Sequence, residues 1–118
     1  MHITDHDQWA RARRTGELRP ASLAETGFVH CSDPGTVHLP ANALYAGRTD
    51  LLLLSVDPGR VGAPVRWEPA DPPAPGMPWF PHVYGPIPVT AVLGEHEFRP
   101  DSAGRFVLPQ SMAEFRAT

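Results

Sequence analysis

Hydrophobic residues along the chain fall into short runs separated by proline, glycine and charged residues. The longest run is four leucines at 51–54, which with the next two residues predicts a strand over 51–56. An apolar run of this length, bounded by Asp50 and by turn residues at 57–59, is typical of a strand covered on both faces. Shorter runs predict further strands at 2–4, 28–31 and 65–68.

Helix signals lie between these strands. Asp5, followed three residues later by Gln8, has the spacing of a capping box and predicts a helix that ends at Gly16. A second helix is expected over about 40–46, because proline is tolerated in a first turn and Gly47 follows the last. Short strands mixed with short helices predict an α+β fold.

A proline-rich segment follows the strand predicted at 65–68. Six of the thirteen residues at 69–81 are proline, which lacks a backbone donor, so this segment is expected to be a loop. A strand is predicted over 87–98. A turn at 101–104, an apolar run at 106–108 and a cap-like sequence at 111–114 predict a closing hairpin and a short terminal helix.

Composition limits the class of protein. The 118 residues, 42% of them hydrophobic, are expected to form a single domain over 1–118. There is no run of about 18 apolar residues and no secretion signal at the start, so a cytoplasmic protein without a membrane partner is expected. The lone Cys31 fits a reducing compartment. A net charge of -3 argues against a general nucleic-acid binder.

Histidines and hydroxyls in the predicted strands are the first candidates for chemistry. Because side chains two positions apart in a strand share a face, His30 and Ser32 point one way and Cys31 the other. The same rule places His2 with Thr4. Two such strands side by side would present two imidazoles and two hydroxyls to one cleft. This set suits a polar ligand, since neutral imidazole both donates and accepts and a hydroxyl can bind ribose or phosphate oxygen.

An aromatic segment around His82 and Tyr84 is the third candidate. Aromatic faces stack on bases or on a nicotinamide ring, and Gly85 allows close approach of the backbone. Trp67 and Glu68 add a ring and a carboxylate shortly before this segment.

Simpler interpretations of these residues stay open. A histidine in a strand is more often a hydrogen-bonded core residue than a catalyst, and Cys31, which faces away from His30, is best interpreted as a small buried apolar residue. A metal site built from His2, His30 and His82 would make the protein a metal-dependent hydrolase. The sequence has none of the tight ligand spacings, such as HExxH or CxxC, that mark such sites.

Several motifs carry a family resemblance. HIT, GFVHCS, ALYAGRTDLLLLSVD, VRWE and FPHVYGP resemble the bacterial family named domain of unknown function 952 over roughly residues 1–92. More distantly, the order of HIT, a helix with Trp9, and a strand with His30 and Ser32 resembles the ADP-ribosyltransferase superfamily, especially its RNA 2′-phosphotransferase branch. That resemblance implies a split-sheet α+β fold whose strands flank the nicotinamide ribose of NAD.

Carried over by position, the superfamily resemblance implies roles for individual residues. His2 would contact the ribose and adenosine side of NAD, and His30, with Ser32 nearby, would bind the other end of the pocket. Many transferases have a glutamate at the third position, and here either His82 or Glu68 fills it.

The leading hypothesis is an ADP-ribosyltransferase-like α+β domain with a split β-sheet that binds NAD or a related nucleotide. It transfers ADP-ribose or cleaves the nicotinamide glycosidic bond. A non-enzymatic nucleotide- or metabolite-binding module and a metal-dependent hydrolase are the alternatives. A small-molecule nucleotide is the expected partner, and a phosphorylated RNA acceptor is not excluded. The hypothesis assigns catalytic roles to His2, His30 and His82, and ligand-binding roles to Thr4, Ser32, Tyr45, Trp67, Glu68, Tyr84 and Gly85.

Overall fold

The computed structural model describes residues 1–109, so the helix expected near 111–114 lies outside the described residues. The helices within that range are α1 (His6–Thr15), α2 (Ala21–Thr26) and α3 (His38–Leu44). The strands are β1 (His2–Asp5), β2 (Glu17–Leu18), β3 (Val29–His30), β4 (Leu51–Val56), β5 (Val65–Glu68), β6 (Phe80–Val83), β7 (Ile87–Pro88) and β8 (Val92–Phe98). They form three small antiparallel sheets in the orders β1-β4-β8, β2-β7 and β3-β6-β5.

Strand β4 lies between the two hydrophobic cores of the described chain. Leu52 and Leu54 pack into a first core with residues of α1, β3 and β6. Leu51 and Leu53, on the opposite face of the strand, pack into a second core with Phe98 and residues of α3. This arrangement confirms the prediction of a strand covered on both faces, because alternate side chains of a strand point to opposite sides.

Helix α1 begins and ends as its sequence predicts. The backbone N–H of Gln8 donates to Asp5 Oδ1 over 2.7 Å, and its side-chain amide donates to Asp5 Oδ2 over 3.1 Å. Gly16 ends the helix with a φ of 94°, a left-handed conformation that glycine adopts without steric cost. Trp9 and Ala12 turn toward the first core, and the Trp9 indole donates to the Glu95 carboxylate. The Asp5 N-cap therefore fixes where β1 turns into the helix.

The described residues form a compact α+β fold, as predicted, with antiparallel sheets and separate short helices. None of these helices is long and apolar enough to cross a membrane.

The prediction of one strand over 87–98 is wrong. Ile87 and Pro88 pair with β2, the next three residues form a 3-10 turn, and β8 begins only at Val92. Because Pro88 has no backbone donor, it interrupts a ladder at the point where the chain passes from one sheet to another.

Two other elements differ from their predictions. Residues 106–108 form no strand: the backbone N–H of Phe106 donates to Asn42 Oδ1 over 2.7 Å, and its ring packs in the second core. Helix α3 begins two residues earlier than expected. The turn before it, where the Val37 N–H donates to the Asp33 carbonyl over 3.0 Å, leads directly into the helix.

Candidate functional site

Backbone pairing brings the three histidines into one region. The N-terminal amine of Met1 donates to the Ser32 carbonyl, and the Ser32 N–H donates back to the Met1 carbonyl, each over 2.8 Å. This exchange sets β1 beside the end of β3. In the β3–β6 ladder His30 is the direct partner of His82, and their ring centroids lie 5.4 Å apart. Residues distant in sequence thus reach one site through antiparallel pairing.

The three histidines line a cleft of about 480 Å³. This volume falls within the range typical of small-molecule sites, roughly 300 to 1,000 Å³. One wall comes from β1 and the residues after β3, and another comes from the proline-rich segment before β6. The polar side chains on its lining are those of His2, Thr4, Asp5, Gln8, Ser22, His30, Ser32, Tyr45, Arg48, Asp71 and His82.

His2 is buried and makes one side-chain hydrogen bond. Its Nδ1 donates to the His30 carbonyl over 2.7 Å, since a carbonyl oxygen can only accept. The other ring nitrogen, Nε2, is buried without a hydrogen-bond partner. Burial away from water lowers the pKa of His2 to about 4, so the ring is neutral at neutral pH and Nε2 carries a lone pair. A residue of the cleft lining therefore carries a buried acceptor with no donor.

His30 ties the proline-rich segment to the sheet. Its Nε2 donates to the backbone carbonyl of Asp71 over 3.0 Å, and the Asp71 carboxylate lies 3.8 Å away. Burial lowers the pKa of this half-buried ring. The ring also contacts Phe28, at a centroid distance of 4.9 Å. The hydrogen bond between His30 and Asp71 connects β3 to the proline-rich segment that forms a wall of the cleft.

His82 is positioned by a carboxylate behind the cleft. Its Nδ1 donates to Glu68 Oε1 over 3.0 Å, and the Tyr84 hydroxyl donates to the same oxygen. These two donors lower the pKa of Glu68, with the tyrosine as the larger cause. Phe28 stacks on the imidazole at 4.1 Å with the two planes 14° apart. The ring of His82 is thus held from its edge and from its face.

The structure divides the predicted ligand-binding residues into two groups. Thr4, Ser32 and Tyr45 line the cleft. Glu68, Tyr84, Trp67 and Gly85 are not among its lining residues.

Each residue of the second group has another position. Glu68 and Tyr84 lie behind His82, while Trp67 alternates to the opposite face of β5 and is 53% exposed. A Cβ at Gly85 would lie 2.8 Å from the Cβ of Ala63, so this glycine is needed for packing against Ala63.

Five polar residues of the cleft lining were not predicted as site residues: Asp5, Gln8, Ser22, Arg48 and Asp71. Gln8 was assigned only to the helix cap, Arg48 follows α3 in a turn, and Asp71 belongs to the proline-rich loop. A proline-rich loop inserted directly before the histidine-containing strand is a sequence signal that could have identified Asp71. No local pattern around Arg48 indicates a cleft position.

Cys31 is buried, as predicted, although it also borders the cleft beside His30 and Ser32. It packs in the first core with Val29, and burial raises the pKa of its thiol to about 11.

Within residues 1–109, no group of three or more histidine, cysteine, aspartate or glutamate residues is arranged to hold a metal ion. One ring nitrogen of each of the three histidines already donates to a protein oxygen, as described above for His2, His30 and His82.

Comparisons with known proteins identify a family and a structural relative. The model of the family described as "Protein of unknown function (DUF952)" matches residues 3–95. The X-ray structure of protein CC0527 from Caulobacter crescentus is similar, with a TM-score of 0.79 and 28% identity over 94% of this chain and 95% of that chain. The solution NMR structure of CC0527 has a TM-score of 0.69 over 87% and 86% of the two chains, also at 28% identity. No curated protein matches the chain.

Proposed function

The chain belongs to the DUF952 family, and from the chemistry of its cleft we propose that it binds a nucleotide of the NAD class there. The observation that carries this proposal is the buried His2 ring, whose Nε2 accepts no hydrogen bond from the protein. An unsatisfied buried acceptor costs on the order of 1–3 kcal/mol, and a ligand that supplies a donor removes this cost. Ribose hydroxyls and the nicotinamide carboxamide are donors of the required kind.

Other residues on the lining suit the remaining parts of such a ligand. The Thr4 and Ser32 side chains bring hydroxyls that exchange hydrogen bonds with sugar oxygens, and both residues are buried. Pro72, Met77 and Phe80 provide apolar surface for a planar ring. Arg48 donates to both carboxylate oxygens of Asp50 over 2.9 and 2.6 Å and lies 3.6 Å from Asp5, so a phosphate that binds Arg48 would displace these carboxylates.

Binding is tested by isothermal titration calorimetry with NAD, ADP-ribose and nicotinamide added separately. His2→Asn keeps a side-chain donor close to the position of Nδ1 and removes the acceptor at Nε2. We expect it to weaken NAD binding at least about tenfold, which corresponds to about 1.4 kcal/mol.

His6→Asn is the matched control, because His6 pairs with Glu97 on the surface and does not line the cleft. Its NAD affinity is expected to equal that of the unchanged protein. Absence of binding by all three compounds at millimolar concentration would refute the proposal, as would equal losses in the two variants.

Cleavage of NAD with transfer of ADP-ribose is a second candidate function, and the His82–Glu68 pair favours it. An ionised carboxylate on Nδ1–H orients an imidazole and makes its other nitrogen a better base. In the proposed reaction the bond between nicotinamide and C1′ of the ribose breaks and nicotinamide leaves with the bonding electrons. An acceptor hydroxyl or water then bonds to C1′, and its proton passes to Nε2 of His82. Glu68 acts as a positioning residue in this scheme.

Nicotinamide release, followed by chromatography, separates binding from turnover. His82→Gln is expected to abolish release while NAD still binds. Glu68→Gln keeps an acceptor oxygen but removes the charge that orients His82, so it should lower the rate of nicotinamide release while NAD still binds. Binding of NAD without any release would leave the binding proposal standing and eliminate the transferase.

A further inference from the structure

Strand β5 has an exposed apolar surface at a sheet edge. In the part of the chain that the structure describes, β5 pairs with β6 on one side and with no strand on the other. Val65 and Trp67 are 36% and 53% exposed, and Trp79, just before β6, is 59% exposed. An open edge with large apolar side chains is a template for pairing with another strand, and soluble proteins normally protect it. We propose that this edge is the interface of a symmetric dimer, with β5 pairing antiparallel to β5 of a second copy.

The backbone of β5 is oriented for this pairing. In an antiparallel ladder, hydrogen-bonded positions alternate along each strand. The Tyr84 N–H donates to the Pro64 carbonyl over 2.8 Å, so positions 64, 66 and 68 direct their backbone groups toward β6. The carbonyl of Pro81, the partner of Trp67, accepts instead from Cys31 on the β3 side. Val65 and Trp67 therefore direct their N–H and C=O groups outward.

The charged residues of β5 favour one register of pairing between the two copies. A twofold axis at Trp67 places Arg66 of each copy opposite Glu68 of the other, on the same face of the joined sheet, and pairs the two Trp67 residues. An axis at Arg66 would instead set two arginines directly opposite each other. Opposite charges across an antiparallel pair are stabilising and like charges are destabilising, so the first register is favoured.

The apolar face of the same strands supports the interface. Val65 and Trp67 share one face of β5, and Trp79 immediately precedes Phe80, which pairs with Glu68 at the end of β5. A tryptophan covers up to about 250 Å², so these half-exposed rings offer a few hundred Å² per copy. This total lies below the roughly 1,200 Å² of small specific interfaces, so we expect a weak dimer that forms only at high protein concentration.

Sedimentation equilibrium of the full chain, from about 10 µM to about 1 mM, tests the dimer. The average mass should rise toward that of two chains, and Trp67→Arg should keep it at one chain throughout. Leu93→Arg is the matched control, because Leu93 is 49% exposed on β8, the edge strand of another sheet. It should leave the mass increase unchanged. A monomer at about 1 mM, or equal effects of the two variants, would overturn the proposal.

Disulfide crosslinking tests the register. Opposed hydrogen-bonded residues have Cα atoms about 5.5 Å apart, a separation that permits a disulfide, so Trp67→Cys should yield a covalent dimer when a thiol oxidant is added. In the proposed register the two 65 positions are offset by four residues, about 13 Å, so Val65→Cys should not crosslink. The native Cys31 is buried and does not compete. A crosslink from Val65→Cys alone would refute the register. Absence of a crosslink from Trp67→Cys, in a sample that sediments as a dimer, would refute the strand pairing.

Discussion

Acidification should destabilise the protein through His2. The ring is buried and neutral in the folded state, where its pKa is about 4, and it recovers the ordinary value of 6.5 when the chain unfolds. The unfolded state therefore binds a proton more readily than the folded state at every pH between these values. By linkage, the stability associated with neutral His2 is complete above pH 6.5 and is lost progressively as the pH falls toward 4.

The size of the effect follows from the two pKa values. The difference between 6.5 and about 4, at 1.4 kcal/mol per pH unit, gives roughly 3 kcal/mol at full protonation. A domain of this size is stable by about 5–15 kcal/mol, so the loss is a large part of the total. The slope of the free energy of unfolding should approach one proton, about 1.4 kcal/mol per pH unit, in the middle of the range.

Urea unfolding at a series of pH values, with the unchanged protein and His2→Asn, measures this contribution. The variant keeps a donor for the His30 carbonyl but has no ring to protonate. Other titrating groups, among them Glu68 with its lowered pKa, are present in both proteins and cancel in the difference. The two stability curves should converge by about 3 kcal/mol between neutral pH and pH 4. Parallel curves would refute the burial of a neutral imidazole at this position.

Three further predictions concern single contacts. Asp5→Ala removes the acceptor for the Gln8 N–H and should lower the free energy of urea unfolding by about 1 kcal/mol, whereas Asp7→Ala in the same helical turn should have a smaller effect. Gly85→Ala places a methyl group 2.8 Å from the Cβ of Ala63 and should reduce thermal stability by the equivalent of about 1–3 kcal/mol. Adding Ala63→Gly should restore most of this stability, and no recovery would contradict the steric cause. The Cys31 thiol, with its pKa raised to about 11 by burial, should react with a disulfide reagent at pH 8 only after urea is added, and rapid reaction of the native protein would show that the thiol is accessible.

Local patterns were sufficient to predict much of the fold. The capping box placed the start of α1, Gly16 placed its end, and the run of leucines placed β4. These features depend on neighbouring residues and on burial, which a single sequence displays directly. The predictions failed where distant contacts decide the conformation: Pro88 pairs with β2, and Phe106 is held by a side chain of α3.

Local patterns also predicted part of the candidate site. Strand alternation predicted that Cys31 faces away from His30 and Ser32, and Cys31 does pack in the first core, although all three residues border the cleft. Alternation gives no information about which strands are neighbours, so the partners of His2 and His82 had to come from the structure. Trp67 and Glu68 show the limit of this reasoning, since adjacent residues of β5 take opposite faces and neither lines the cleft.

The sequence by itself determined where α1 begins and ends, that 51–56 is a buried strand, and that His2, His30 and His82 belong to strands or their ends. Only the tertiary structure decided that β1 lies beside the end of β3 and that the proline-rich segment is hydrogen-bonded to His30. It also decided that Nε2 of His2 has no donor. The physical reason is that facing and capping are set by bonds between near neighbours. Burial and hydrogen-bond satisfaction of a ring depend on every segment that packs around it.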